Sequence, residues 1–309
     1  MSDSEKTEGP GWSLTVEPGG GLQRLDRFLA ARITRLSRAR ASRLQALDVD
    51  RGRWLKKSQL LREGQRLWVP RPPPDEGEIT LAPPAVIAEE GELLVIDKPA
   101  GWAAHPTAGR YEQTITTWLQ SQGHPHEPAH RLDVETSGLL LCATGESLRA
   151  LKEAFRQQVV EKFYLAVVEG RPPFEEWEVA APLGFDTRSA VRLKMGRGDL
   201  PARSRFFLRR TGPGRSLIEA RPQSGRQHQL RVHLSLAGYP IVGDKLYGPD
   251  ETFFLKQLES ALEEEDWVRL GHHRQALHAW RISFQLGGRP YRFEAPWPAE
   301  LEALIERDC

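Results

Sequence analysis

Cysteine is almost missing from this chain of 309 residues, which has only Cys142 and Cys309. One falls in an apolar run and the other is the last residue, so no disulfide framework is expected and a cytoplasmic setting fits. Long hydrophobic runs are missing as well. None approaches the ~20 apolar residues that a membrane-spanning helix needs, so no membrane association is expected. The opening residues, MSDSEKTEGPGW, are polar and acidic and contain no apolar stretch of the kind that starts a secretory signal. Net charge is small too, at +1. What remains is ordinary for a globular protein: 39% hydrophobic and 28% charged residues. The length suggests roughly two domains at ~150 residues each.

The small net charge conceals an uneven distribution. Residues 22–70 hold thirteen lysines and arginines against four acidic residues, and residues 188–231 hold twelve against Asp199 and Glu219 alone. Two basic blocks in an otherwise acidic chain are the electrostatic footprint of a polyanion binder. A single block would be read as a solvated face, but two favour nucleic acid.

Residues 1–21 read as a disordered leader, polar and ending in glycines. From Leu22 the apolar positions Leu25, Phe28, Leu29, Ile33 and Leu36 keep helical spacing. Ser37 then caps a second helix, SRARASRLQAL, and Gly64 marks a turn into a strand. Prolines 70, 72, 73 and 74 follow, so residues 71–76 are expected to be a semi-rigid linker between domains 22–70 and 77–309. In the larger region, strand patterns at ELLVIDKP, KFYLAVVEG, SLIEARP, LHAWRISFQL and PYRFEAP outnumber helical ones at SLRALKEAFRQQ and HQLRVHLSLAG. The fold class is therefore α+β, a mixed and mainly antiparallel sheet with flanking helices.

The stretch HRLDVETSGLLL poses the sharpest chemical question. Leu139 to Cys142 form a continuous apolar run, the pattern of a strand covered on both faces, and Thr136–Gly138 read as the turn into it. Arg131 and Asp133 stand just ahead of this run. A carboxylate at the edge of a core loses hydration and needs a positive partner, or it protonates.

Together with KFYLAVVEG, SGRQHQLRVHL and PIVGDKLYG, this stretch resembles the RluA-type pseudouridine synthases across nearly all of residues 77–309. The family isomerises uridine to pseudouridine in RNA. The resemblance implies that Asp133 is the catalytic carboxylate, acting either as a nucleophile or as the base that removes the sugar C2′ proton. It also implies that Arg231 pairs with Asp133, that Arg131 fills the space left by a flipped nucleotide, and that Tyr164 stacks on the flipped uracil with Leu230 beneath it. Tyr164 could also relay the C5 proton. Gln227 and Trp102 depart from the family's usual residues. The words RLDRFLAARI, LSRARASRL and KKSQLLREGQRLWV resemble the small RNA-binding domain of ribosomal protein S-four, which makes Arg38, Arg40 and Arg43 the expected phosphate contacts.

No cofactor or metal is implied, since His228 and His233 lack a metal-type spacing. The expected partner is ribosomal RNA of the large subunit, with transfer RNA as the alternative, and nothing demands an oligomer. Two other readings compete: an inactive ribosome-assembly factor, and a nucleoside hydrolase. The latter normally needs two carboxylates.

Overall fold

The computed structural model describes residues 11–17, 23–32, 44–56, 58–70, 81–106, 113–259 and 261–306. Contacts divide the chain into two units, Met1–Asp75 and Glu76–Cys309. The proline-rich segment 71–76 lies outside the described residues, as do Arg38, Arg40 and Arg43.

In the first unit, strands β1 (Gly11–Thr15), β2 (Ala46–Asp48), β3 (Arg53–Leu55) and β4 (Arg66–Pro70) form an antiparallel sheet in the order β1-β4-β2-β3. Helix α1 (Leu25–Arg32) buries Leu25, Phe28 and Leu29, the i, i+3, i+4 face anticipated from spacing. Two expectations are corrected here. The leader is not disordered throughout, because Gly11–Thr15 pairs along β4 and Val16 is fully buried. Trp12 and Leu14 turn inward with Val16, a period of two that outweighs the polar residues between them. Residues 37–43 of the expected second helix lie outside the described residues, and its expected end at Leu47 is corrected, because Ala46–Asp48 is a strand whose hairpin to β3 turns through Gly52 at φ +59°.

The second unit is built on a ten-stranded sheet. Its strands are β5 (Ala85–Glu90), β6 (Leu93–Lys98), β7 (Glu127–Pro128), β8 (Ser137–Ala143), β9 (Glu161–Glu169), β10 (Glu176–Val179), β13 (Ser204–Thr211), β14 (Arg215–Pro222), β15 (Leu277–Leu286) and β16 (Arg289–Glu294). The order is β10-β13-β14-β9-β15-β8-β6-β5, with β16 added on β15 and β7 on β8. A separate hairpin joins β11 (Leu183–Phe185) to β12 (Met195–Arg197). All pairings are antiparallel except that of β15 with β8, so the sheet is mixed and mainly antiparallel. Flanking helices are α2 (Ile115–Ser121), α3 (Gly145–Arg156), α4 (Gln229–Leu236), α5 (Thr252–Glu259), α6 (Glu264–Leu270) and α7 (Ala299–Glu306).

The apolar runs of β6 and β8 are continuous because both sheet faces are covered. Leu93, Val95, Leu139 and Leu141 pack with Leu151 of α3, while Leu94, Ile96, Leu140 and Cys142 pack with Ile115 and Leu119 of α2. Burial holds the Cys142 thiol far above its ordinary pKa, so it behaves as a small apolar side chain. The turn before β8 starts two residues earlier than anticipated, at Val134–Glu135, and Ser137 and Gly138 already belong to the strand. Gly138 has φ +105°, and a Cβ there would fall 2.2 Å from the Ala279 carbonyl oxygen where β8 meets β15. No helix among the described residues is long and apolar enough to cross a membrane.

Candidate active site

The site starts from how β8 is entered. The Thr136 N–H donates to the Asp133 carbonyl at 3.0 Å, which closes a tight turn and leaves the Asp133 side chain at the strand's mouth. Buried cations hold that turn from below. Lys98 Nζ donates to the carbonyls of Pro99, Trp102 and Val134. Lys245 Nζ donates to Glu135 Oε1 at 2.8 Å and to the His273 carbonyl at 2.7 Å. Gln275 donates to the Thr136 hydroxyl at 2.6 Å. A backbone fixed by this many donors cannot drift, so the Asp133 carboxylate is preorganised.

Arg231 reaches it from α4. Its Nη1 donates to Asp133 Oδ2 at 3.0 Å, while its Nε and Nη2 grip Asp244 at 2.7 and 2.8 Å. Asp244 is fully buried and also accepts the N–H groups of Leu246 and Tyr247. Burial works to raise the Asp133 pKa, but His228 and Arg231 outweigh it and hold the carboxyl below its ordinary value. His228 itself is held down to about 4, chiefly by burial, so near neutral pH it is uncharged and Arg231 supplies the lasting charge. The Arg231 pKa rises despite burial because Asp244 stabilises the cation.

His228 caps α4 in the left-handed conformation, at φ 54°. Tyr247 Oη accepts the Met195 N–H at 2.8 Å and lies 2.8 Å from His228 Nδ1. On the other side of the ring, His228 Nε2 lies 3.9 Å from Asp133 Oδ1. His130, in contrast, serves the backbone. Its Nε2 accepts the Leu141 N–H at 3.0 Å, its ring stacks on Phe155, and burial keeps it neutral with a pKa of about 3.

Asp133 and Arg231 line one cleft of about 340 Å³ with Arg131, Tyr164, Leu230 and His228. Its size suits a single nucleoside better than an extended ligand. Tyr164 of β9 sits half-buried at the seam of two core clusters, one of which contains Leu230. Burial and the Asp133 charge push its phenol well above its ordinary pKa, which opposes the proton-relay role and leaves a neutral ring face. Arg131 is exposed, and its guanidinium makes no ion pair among the described residues. Five residues singled out from sequence thus meet in one cleft. Asp244, His228 and Tyr247 were missed. Asp244 and Tyr247 lay within the quoted PIVGDKLYG, but its glycine turn hid that its single carboxylate holds Arg231.

Residues 92–236 match the family model for RNA pseudouridylate synthase. An RNA pseudouridine synthase of Chloroflexus aurantiacus is 35% identical, over 95% of this chain and 92% of the relative. The ribosomal large subunit pseudouridine synthase D of Zymomonas mobilis is 33% identical, over 92% and 93%. Among solved structures, human RNA pseudouridylate synthase domain containing 1 shares the fold, with a TM-score of 0.60 at 22% identity over 72% of this chain and 88% of that one. Similarity of this degree over almost the full length means that the chain belongs to the RNA pseudouridine synthase family.

Proposed function

We propose that this pseudouridine synthase acts on large-subunit ribosomal RNA, with Asp133 as its catalytic carboxylate. The observation that carries the reading is the anionic Asp133, held by Arg231 at 3.0 Å in a nucleoside-sized cleft. The enzyme isomerises uridine: the N1–C1′ bond breaks, C5 bonds to C1′, the C5 proton leaves and N1 regains one. The sum of atoms is unchanged, so no cofactor is called for. An ionised carboxylate serves this chemistry as a nucleophile or as the base at C2′.

The target base must first leave its stack, at a cost of a few kcal/mol. Exposed Arg131, with its planar guanidinium, would take the vacated space, and Tyr164 would stack on the flipped uracil above Leu230. His228 would present its Nε2 beside the carboxylate, within reach of a substrate group bound between them. The first unit is read as an S-four-like RNA-binding module, supported by the basic composition of residues 22–70 and by its resemblance words, with Arg38, Arg40 and Arg43 contacting phosphates. The large-subunit target rests on the names of relatives such as the Zymomonas enzyme. The enzyme would work in the cytoplasm as a single chain.

Tritium release from RNA labelled at uridine C5 tests the chemistry. Wild type is expected to release label and Asp133→Ala to release none. Equal and negligible release by both, on ribosomal RNA, would favour an inactive assembly factor. A pseudouridine map of total RNA from a deletion strain tests the target. Loss confined to transfer RNA would move the assignment there.

A further inference from the structure

His126 is 7% exposed, and neither of its ring nitrogens has a hydrogen-bond partner among the described residues. A buried imidazole left unsatisfied on both sides is rare, because buried polar groups normally find partners. Two groups face it instead. The rings of His124 and His126 lie 5.7 Å apart, edge to face, and Glu89 Oε1 lies 3.8 Å from His124 Nδ1. That separation is too long for a hydrogen bond. One donor atom from each of Glu89, His124 and His126 lies within 4.8 Å of the others.

The fold brings these donors together from two segments. Glu89, Leu94 and Cys142 are directly opposite one another across β5, β6 and β8, so their side chains share the sheet face that α2 covers. The chain leaving α2 turns back at Gly123, with φ +75°, and the His124 N–H donates to the Leu119 carbonyl at 2.9 Å. Pro125 keeps the next stretch from continuing as helix. The chain then enters β7, which pairs with β8 at Cys142. The α2–β7 loop thereby passes over the face on which Glu89 stands.

We propose that Glu89, His124 and His126 form a binding site for a divalent transition-metal ion, best matched by Zn²⁺, that ties the α2–β7 loop to edge strand β5. Two imidazoles and one carboxylate are a zinc-type donor set, whereas Mg²⁺ and Ca²⁺ prefer oxygen alone. With bonds of about 2.0–2.1 Å, tetrahedral donors stand about 3.3 Å apart, so small side-chain rotations close the set. Glu89 is exposed, which leaves room for a water as fourth ligand. Burial holds the His126 pKa below 6.5, which favours the neutral, ligating imidazole near pH 7. None of the three residues lines the catalytic cleft, so the site is separate from it.

Calorimetric titration of the chelator-treated full chain with ZnCl₂ tests this, with MgCl₂ as the contrasting cation. One Zn²⁺ per chain is expected, together with a rise in Tm, and no response to Mg²⁺. Glu89→Gln and His124→Ala should each weaken Zn²⁺ binding at least tenfold and remove the rise in Tm. These two positions are not fully buried, so the result does not depend on whether His126→Ala folds. His105→Ala, at a histidine outside the cluster, should bind like wild type. Absence of Zn²⁺ binding, or undiminished binding by both Glu89→Gln and His124→Ala, would overturn the proposal.

Discussion

Two carboxylates share the Arg231 guanidinium, and under the proposed function they serve opposite purposes. Asp244 is wholly buried and accepts four hydrogen bonds, two from Arg231 and two from backbone N–H groups. Asp133 has 22% of its side chain exposed and takes a single hydrogen bond from the same cation. A buried carboxylate held by four donors is a structural fixture. One that is charged, desolvated and under-coordinated keeps lone pairs free to attack or to take a proton. Arg231 thus acts as a bracket, fastened at Asp244 and presenting one N–H to Asp133.

Replacing one carboxylate and then the other should separate these purposes. The largest effect is expected from Asp133→Asn. Its turnover should fall by at least roughly 10²–10⁴-fold in single-turnover assays, with RNA affinity near wild type and Tm little changed. A large drop in Tm would mean that Asp133 is structural as well. Asp244→Asn strips a buried cation of its main partner, so it should cost about 3–5 kcal/mol of stability and lower Tm by roughly 6–20 °C. Its activity should fall too, because Arg231 loses its anchor. Wild-type stability in thermal melts would show that the bracket is unnecessary.

Tyr164→Ala should lower kcat/KM by about 1–3 kcal/mol of lost stacking, roughly 5- to 150-fold, while Tyr164→Phe should stay within about tenfold of wild type. A defect in the phenylalanine variant as deep as in the alanine one would restore the proton-relay role. The smallest expected effect is that of pH on rate. The Asp133 pKa lies below the ordinary 3.8 and that of His228 at about 4, so neither changes charge between pH 5.5 and 8 and the single-turnover rate should be flat there.

Stability should not be flat over that range. His228, His130 and His278 are held at about 4, 3 and 4 in the fold, below the unfolded value of 6.5. Below pH 6.5 the unfolded chain binds protons that the folded one refuses, so stability declines as pH falls toward 4. Asp133 and Asp244, with depressed pKa values, keep their contribution until the pH drops below the ordinary carboxylate value. Thermal melts at pH 7 and pH 5 check the sign.

Much of the cleft could be read from single residues. The continuous run Leu139–Cys142 announced a strand covered on both faces, and Arg131 and Asp133 stood visibly at its mouth. Arg231 lay in a helical pattern, and Tyr164 in a strand. Asp244 was less legible, because thirteen residues and a glycine turn separate it from the arginine it grips, and a buried aspartate looks like any loop aspartate in a linear string. His228 was passed over as one scattered histidine among nine. The inward period of Trp12, Leu14 and Val16 was present in the supposed leader, but it was short and interrupted by polar residues.

The sequence by itself determined which segments become strands and helices, because hydrophobic period and turn residues act locally. It also determined the chemical inventory, in which one aspartate beside an arginine precedes a buried strand. Only the tertiary structure decided which carboxylate is fastened and which is free. That choice depends on burial and on the number of donors reaching each oxygen, and both arise when segments nearly a hundred residues apart meet.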